Sequence, residues 1–312
     1  MNVIVAGGAG FLGSHLSEKF VEEGYDVTVV DDLSSGLEQN LSNIRGRIKF
    51  IKSDIADFDS DDKFDMIFNL ASNASRVEWE TRPVEVALSN SSGNNNLIKL
   101  ALRNRALYVY ASSSEVYGNP DVVPTPETYL GRVSTTGSRS PYDEGKRFGE
   151  ALIKSYEREY GLRNIIIRFF NTYGPRMRGG DFYGRVIDRF IQQAITDRPI
   201  TVYGDGTQTR SFTYVKDAVD AIDLVVKKGN INEIYNIGND QEIRILDIAE
   251  LIRKVSGSAS KIEFMKLPED DPRRRSADIS KIRKLGFSHK FSLELGIQYT
   301  LNYALKNSSD TV

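Results

Sequence analysis

The chain has 312 residues, of which 40% are hydrophobic, so it is long enough to bury the core of one large α/β domain that carries a smaller one. It contains no cysteine and only two histidines, which excludes a zinc cluster, a redox-active cysteine pair and a Cys or His nucleophile. The formal net charge of −2 provides no basic field for nucleic acid, so we expect a small ligand.

Neither a membrane segment nor a signal peptide is predicted. No apolar stretch approaches the ~20 residues that a membrane span requires. The apolar run at the N-terminus lacks the positive charges that open a signal peptide and reaches glycine at Gly7, so it predicts a first strand. We therefore expect a cytoplasmic enzyme, and the lack of cysteine agrees with that location.

Short apolar runs alternate with amphipathic helical patterns over the first half of the chain. The runs at 2–6, 27–30, 48–51, 66–70, 107–111 and 165–169 predict strands. Continuous apolar strands that alternate with helices are typical of a parallel sheet covered on both faces. The pattern therefore predicts an α/β fold with a doubly wound parallel sheet, or Rossmann fold, whose ligands bind beyond the carboxyl ends of the strands.

The pattern changes after Phe170, where loops rich in Gly, Pro and Arg are interleaved with shorter elements. Segments 212–227 and 233–237 then look like a return to the sheet layer. We predict two domains that are interleaved in sequence. The dinucleotide-binding domain comprises residues 1–171 and 212–238, and the smaller C-terminal substrate domain comprises residues 172–211 and 239–312.

A glycine-rich turn follows the first strand and precedes a helical pattern that begins near Phe11. Gly7, Gly10 and Gly13 allow backbone N–H groups to approach a pyrophosphate. Asp31, about 20 residues further on, suits the ribose hydroxyls of an adenosine and would repel a 2′-phosphate, so NAD is favoured over NADP. Asp31 could instead be an ordinary turn residue, and Asp54, which with Ile55 could read the adenine edge, could be a cap.

The catalytic hypothesis depends on three residues. Tyr142 and Lys146 are four residues apart on a predicted helix, where the ammonium would stabilise a phenolate that acts as base. Such a pair is often only a solvated helix face. Ser113 closes a predicted strand at the same edge of the sheet and could share a substrate hydroxyl with Tyr142, which favours redox chemistry on an alcohol.

Together these motifs resemble the extended short-chain dehydrogenase/reductases that modify nucleotide sugars. The resemblance covers essentially the whole chain and includes segments 69–72, 168–176 and 202–210. It implies a doubly wound sheet with a small C-terminal sugar-nucleotide domain. It also implies a homodimer in which two long helices, here about 84–103 and 142–160, form a four-helix bundle with those of a second subunit. The cofactor-binding residues are then Gly7, Gly10, Phe11, Leu12, Gly13, Asp31, Asp54, Ile55, Leu70, Ala71, Tyr142 and Lys146.

The residues after Ser113 indicate which reaction follows oxidation at C4 of the sugar. Ser114 and Glu115 resemble the UDP-glucuronate decarboxylases, which make UDP-xylose, whereas the dehydratases carry Asp-Glu and the 4-epimerases commonly carry small or neutral residues. Arg275 matches the active-site arginine of the decarboxylases. The resemblance therefore implies that the catalytic residues are Ser113, Glu115, Tyr142, Lys146 and Arg275, with no metal.

The same resemblance implies a nucleotide-sugar site in the second domain. Its substrate-binding residues are Ser114, Asn171, Arg185, Tyr203, Arg210 and Arg275. Asn73, segment 75–78, Arg132, Thr135 and Pro141 depart from the decarboxylase pattern, so the sugar stays open. The alternatives are a UDP-hexose or UDP-glucuronate 4-epimerase, a 4,6-dehydratase and a non-catalytic NAD-binding protein on the same fold. Trp79 is expected to pack at the mouth of the site and receives no role.

Overall fold

Seven strands form one parallel sheet in the part of the chain that the computed structural model describes, residues 1–72, 74–177, 186–266 and 274–308. The strands are β1 (Asn2–Ala6), β2 (Asp26–Asp31), β3 (Ile48–Lys52), β4 (Met66–Asn69), β5 (Leu107–Ser113), β6 (Asn164–Phe169) and, by our numbering along the chain, β11 (Glu233–Ile237). Their order is β11-β6-β5-β4-β1-β2-β3, and every neighbouring pair is parallel. The predicted doubly wound sheet is confirmed, with strand ends shifted by one or two residues.

Helices cover both faces of this sheet because its strands are apolar on both sides. Along β1, Val3 and Val5 belong to one buried cluster, while Ile4 and Ala6 belong to another, as the two-residue period of a strand requires. The first cluster includes side chains from α1 (Phe11–Glu22) and α7 (Val215–Lys228), and the second includes side chains from α4 (Asn94–Asn104) and α5 (Ser140–Tyr160).

A long, irregular helical segment connects β4 to β5. It contains α2 (Arg76–Thr81), α3 (Pro83–Leu88), a widened π-helical turn at Ser89–Gly93, and α4. Short 3₁₀ helices follow β2 at Glu38–Arg47 and β5 at Ser114–Tyr117. The π turn is one of the features that often occur at functional sites, and its Ser89, Ser92 and Gly93 line the cleft described below.

Shorter elements lie beyond the carboxyl end of β6. They include β7 (Thr172–Tyr173), α6 (Val186–Ile195), β8 (Ile200–Tyr203), β9 (Thr209–Ser211), β10 (Thr213–Tyr214), β12 (Glu242–Arg244), α8 (Ile245–Ser256), β13 (Ile262–Met265), β14 (Arg274–Arg275), α9 (Ser280–Arg283) and α10 (Leu293–Ser308). β8 pairs with β13, β7 with β10, and β9 with both β12 and β14. The helices α6, α8 and α10 pack against one another.

No helix in the described ranges is both long and apolar enough to cross a lipid bilayer.

Candidate active site

A cleft of about 890 Å³ runs across the carboxyl ends of the sheet strands and continues towards the shorter elements. The strand order reverses here, because β2 and β4 lie on opposite sides of β1, and ligands of doubly wound sheets bind at such a reversal. Every predicted site residue that the structure describes lines this cleft. Arg185 lies outside the described residues.

The turn after β1 leaves no room for side chains. Gly7 has a positive φ of +75°, and its N–H donates to the carbonyl of Val30 at 2.8 Å. A Cβ on Gly13 would lie 2.1 Å from the carbonyl oxygen of Gly7. The glycines therefore let the start of α1 lie close under the turn, and the N–H groups at that helix end form a cradle that fits the diphosphate of NAD.

Asp31 ends β2 and lies beneath the same turn. Its Oδ2 accepts a hydrogen bond from the N–H of Ala9 and its Oδ1 accepts one from the N–H of Leu33, both at 2.9 Å. Burial raises the pKa of this carboxyl group, and the backbone hydrogen bonds oppose that rise. Asp31 thus lines the cleft and also holds the turn, so both roles that its sequence position suggested fit its geometry.

The loop that carries Asp54 and Ile55 is fixed to the helical segment across the cleft. Asn96 donates to the carbonyls of Ile55 at 2.9 Å and Phe58 at 2.6 Å. A Cβ on Gly93, in the π turn, would lie 2.5 Å from the Ile55 side chain. Asp54 accepts from the N–H of Ala56, which is the capping contact expected of it as an alternative to adenine binding.

Ser113, Tyr142 and Lys146 converge because β5 ends at Ser113 and α5 begins two residues before Tyr142. The Lys146 Nζ donates to the carbonyl of Ala111 at 2.8 Å and lies 5.8 Å from the centre of the Tyr142 ring. Burial lowers the pKa of Lys146 to about 7, although Glu150 acts in the opposite direction. A buried ammonium beside a phenol is an arrangement that can help the phenol to release and regain a proton.

Glu115 lies between two arginines in the same cleft. Its carboxylate pairs with Arg139, the residue before α5, and with Arg275 of β14. Burial alone would raise the pKa of Glu115, but Arg275 and Arg139 outweigh it, and the pKa is lowered. Glu115 is thus an ion-paired carboxylate and not a loop residue bonded only to backbone.

Asp143 is the second carboxylate of this group. It lies 3.5 Å from the Arg139 Nε and is buried. Burial and the neighbouring Glu115 raise its pKa to about 7, while Arg139 and Arg275 act in the opposite direction. The two carboxylates therefore differ in protonation at neutral pH, with Glu115 ionised and Asp143 close to its midpoint.

The predicted substrate residues form the other half of the cleft. Ser114 is buried beside Ser113, and Asn171 donates to the carbonyl of Ser211 at 3.1 Å. β14 pairs with β9 so that Arg275 lies opposite Arg210. Tyr203 lies under the guanidinium of Arg189, whose central carbon is 4.7 Å from the ring centre. Cationic and aromatic side chains of these kinds suit a nucleoside diphosphate.

Residues 3–238 match the model of the NAD dependent epimerase/dehydratase family. The chain belongs to this family. Its glycine turn, Asp31 and buried Tyr142–Lys146 pair fit the cofactor that the family uses. The described residues bring together no group of three or more metal-ligating side chains.

UDP-glucuronic acid decarboxylases are among the curated relatives of this chain. The chain is 39% identical to "UDP-glucuronic acid decarboxylase 1" of Xenopus tropicalis over 97% of its own length and 72% of that protein. It is 40% identical to "UDP-glucuronic acid decarboxylase 3" of Arabidopsis thaliana over 95% of its own length and 87% of the relative. Among solved structures, UDP-glucuronic acid 4-epimerase from Bacillus cereus, in complex with UDP-glucuronic acid and NAD, has a TM-score of 0.87 and 30% identity, with 98% of this chain and 100% of that chain covered.

Two residues of the site received no functional role from the sequence. Arg139 received no role from the sequence, yet it contacts Glu115. Trp79 lies against the Tyr142 ring within the cleft. Arg139 stands three residues before Tyr142 in the sequence, and this nearness was the only hint that it belongs to the site. Nothing in the local sequence indicated that Trp79 stacks on Tyr142.

Proposed function

We propose that the protein is an NAD-dependent nucleotide-sugar decarboxylase that converts UDP-glucuronate to UDP-xylose and CO₂. The observation that carries this proposal is the pairing of Glu115 with Arg139 and Arg275 in the cleft that also contains Tyr142 and Lys146. The curated decarboxylases at 39% and 40% identity support it. Two guanidinium groups against the ionised Glu115 and the partly protonated Asp143 leave net positive charge for the carboxylate of a uronate sugar.

The side chains can perform the first step as an acid–base pair. Tyr142 takes the proton from the C4 hydroxyl, Ser113 shares that hydroxyl, and Lys146 stabilises the phenolate. NAD, when bound, accepts the hydride from C4 and later returns it. The product of this step is a 4-keto sugar whose C6 carboxylate is a β-keto acid.

Carbon dioxide leaves next. The C5–C6 bond breaks, its electron pair forms an enolate with the C4 ketone, and a proton then adds at C5. Glu115 accepts this proton from solvent and passes it to C5, and Arg275 orients the carboxylate that leaves. Reduction of the ketone at C4 and return of the Tyr142 proton complete UDP-xylose, so the net reaction consumes one proton and releases one CO₂.

A second candidate is 4-epimerisation of UDP-glucuronate or of UDP-glucose and UDP-galactose. The similarity to the Bacillus cereus 4-epimerase favours it, since that structure contains UDP-glucuronic acid. The two reactions share C4 oxidation and differ in whether the C5–C6 bond breaks. Dehydration and cofactor binding without catalysis are lesser alternatives.

Product analysis separates these candidates. The purified protein is incubated with UDP-glucuronate, UDP-glucose or UDP-galactose, with and without added NAD, and the products are identified by mass spectrometry and NMR. A pentose nucleotide from UDP-glucuronate supports decarboxylation, whereas inversion at C4 with all carbons retained contradicts it. Tyr142→Phe should abolish turnover and leave NAD bound, and a Tyr142→Phe protein that still turns over would contradict the assigned mechanism.

We further propose that two copies pair through α3 and α5, which pack against each other. Exposed apolar side chains on these helices support this, among them Val84 at 69%, Leu88 at 54% and Phe148 at 51% relative exposure. Light scattering of Phe148→Glu against wild type tests the dimer. The division into residues 1–171 with 212–238 and 172–211 with 239–312, and a cytoplasmic location, remain part of the same proposal.

A further inference from the structure

Trp79 is the only tryptophan of the chain and lies flat against the ring of Tyr142. The two ring centroids are 4.7 Å apart and the ring planes differ by 16°. Trp79 is 8% exposed and lines the cleft. With Val86 and Tyr142 it forms a small buried cluster that is separate from the two large clusters around the sheet.

Trp79 also has a charged neighbour. The guanidinium carbon of Arg139 lies 5.4 Å from the centre of the Trp79 ring, within the range of a cation–π contact. Arg139 in turn pairs with Glu115. Contacts therefore run without a break from Tyr142 through Trp79 and Arg139 to Glu115.

We propose that Trp79 is a positioning residue that fixes the Tyr142 ring and the Arg139 guanidinium relative to each other, and thereby fixes Tyr142 relative to Glu115. The inference rests on the proposed function, because it assumes that Tyr142 and Glu115 act on one sugar. General bases work only within hydrogen-bond reach of their proton, so a Tyr142 side chain that changes its χ1 rotamer and moves its hydroxyl would lose C4 oxidation. A freely turning Arg139 would in addition release one side of Glu115.

A purely structural Trp79 would behave differently. Val86 belongs to the same buried cluster, is fully buried and does not line the cleft. Val86→Ala is therefore the matched control, because it removes packing from the cluster and leaves the Trp79–Tyr142 stack in place.

The first experiment compares wild type, Trp79→Leu, Trp79→Phe and Val86→Ala as holoproteins. Rapid mixing with UDP-glucuronate follows C4 oxidation through the absorbance of reduced NAD, and steady-state assays separate kcat from KM. We expect Trp79→Leu to slow C4 oxidation and lower kcat by about 10- to 100-fold, because a displacement of the catalytic group by about 1 Å has effects of this size. KM and the affinity for NAD should remain nearly unchanged. Trp79→Phe should restore most of the rate and Val86→Ala should retain it. Wild-type oxidation in Trp79→Leu, or an equal loss in Val86→Ala, would overturn the proposal.

A second readout needs no turnover. The tryptophan fluorescence of the holoprotein comes from Trp79, because the chain has no other tryptophan. A phenolate in contact with the indole quenches this emission. We expect the alkaline quenching seen in wild type to be reduced in Tyr142→Phe and unchanged in Tyr110→Phe. Identical titrations of wild type and Tyr142→Phe would refute the stack itself. If no nucleotide sugar reacts, the proposed function fails while this titration still decides the contact.

Discussion

The ammonium of Lys146 donates a hydrogen bond to the carbonyl of Ala111 at 2.8 Å, inside a pocket that leaves the side chain 3% exposed. This position keeps Lys146 beside Tyr142, but it also removes a charge from water. Burial lowers its pKa from 10.5 to about 7. The lysine therefore supports catalysis at a cost in stability, as active-site groups often do.

Lys146→Met should inactivate the enzyme and stabilise the fold at neutral pH, by roughly 1–3 kcal/mol after loss of the hydrogen bond is counted. Below pH 7 Lys146 is protonated in the folded protein, so the full free-energy cost of burying its ammonium group is present. From about pH 7 to 10.5 the unfolded chain binds more protons than the folded one, so the stability of wild type rises with pH. Denaturant titrations over this range should find that the advantage of the Met variant shrinks, and a constant difference would contradict the account.

Glu115→Gln tests the step after C4 oxidation. The substitution keeps the shape of the side chain and removes the charge between Arg139 and Arg275. We expect normal C4 oxidation, an unchanged or lower KM for UDP-glucuronate, and CO₂ release slower by about 10²-fold or more, which is typical for loss of an acid–base group. Release of labelled CO₂ in single turnovers measures the step.

Glu242→Gln is the matched control for that experiment. Glu242 also pairs with an arginine, Arg274, which is the neighbour of Arg275 in β14, but this pair lies outside the cleft. Its loss should leave CO₂ release at the wild-type rate. Equal losses in both variants would mean that Glu115 only holds β14 in place.

Much of this site could be predicted from sequence because several of its residues stand at the carboxyl ends of strands. Ser113 and Asp31 end their strands as the apolar runs indicated, and parallel strands bring those ends to one edge. The i, i+4 spacing of Tyr142 and Lys146 then needed only the helix to begin nearby.

The remaining contacts could not be predicted because they join distant segments. Arg139 reaches Glu115 across 24 residues, and Arg275 reaches it across 160. β14 pairs with β9 and so brings Arg275 opposite Arg210. Because β14 has only two residues, it has no periodic sequence pattern from which a strand could be predicted. Only the resemblance pointed to Arg275, and Trp79 had no equivalent signal.

Asp143→Asn should stabilise the protein at neutral pH. Burial raises the pKa of Asp143 from 3.8 to about 7, so between these values the folded state binds the proton and the unfolded state does not. The contribution of Asp143 to wild-type stability therefore falls as the pH rises from about 4 to 7 and then stays constant. The Asn variant should match wild type near pH 4 and exceed it by roughly 1–3 kcal/mol at pH 7. Parallel stability curves for the two proteins would contradict a raised pKa.

Gly13→Ala should prevent NAD binding, because its Cβ would lie 2.1 Å from the Gly7 carbonyl oxygen and would push the turn away from α1. Gly46→Ala is the control: nothing lies within 4 Å of the position of its Cβ and its φ is not positive. A ligand that binds only the folded state raises the melting temperature, so NAD should raise that of Gly46→Ala as it does for wild type. The melting temperature of Gly13→Ala should not respond to NAD, even if the variant folds. A normal response in Gly13→Ala would mean that the diphosphate does not bind at this turn.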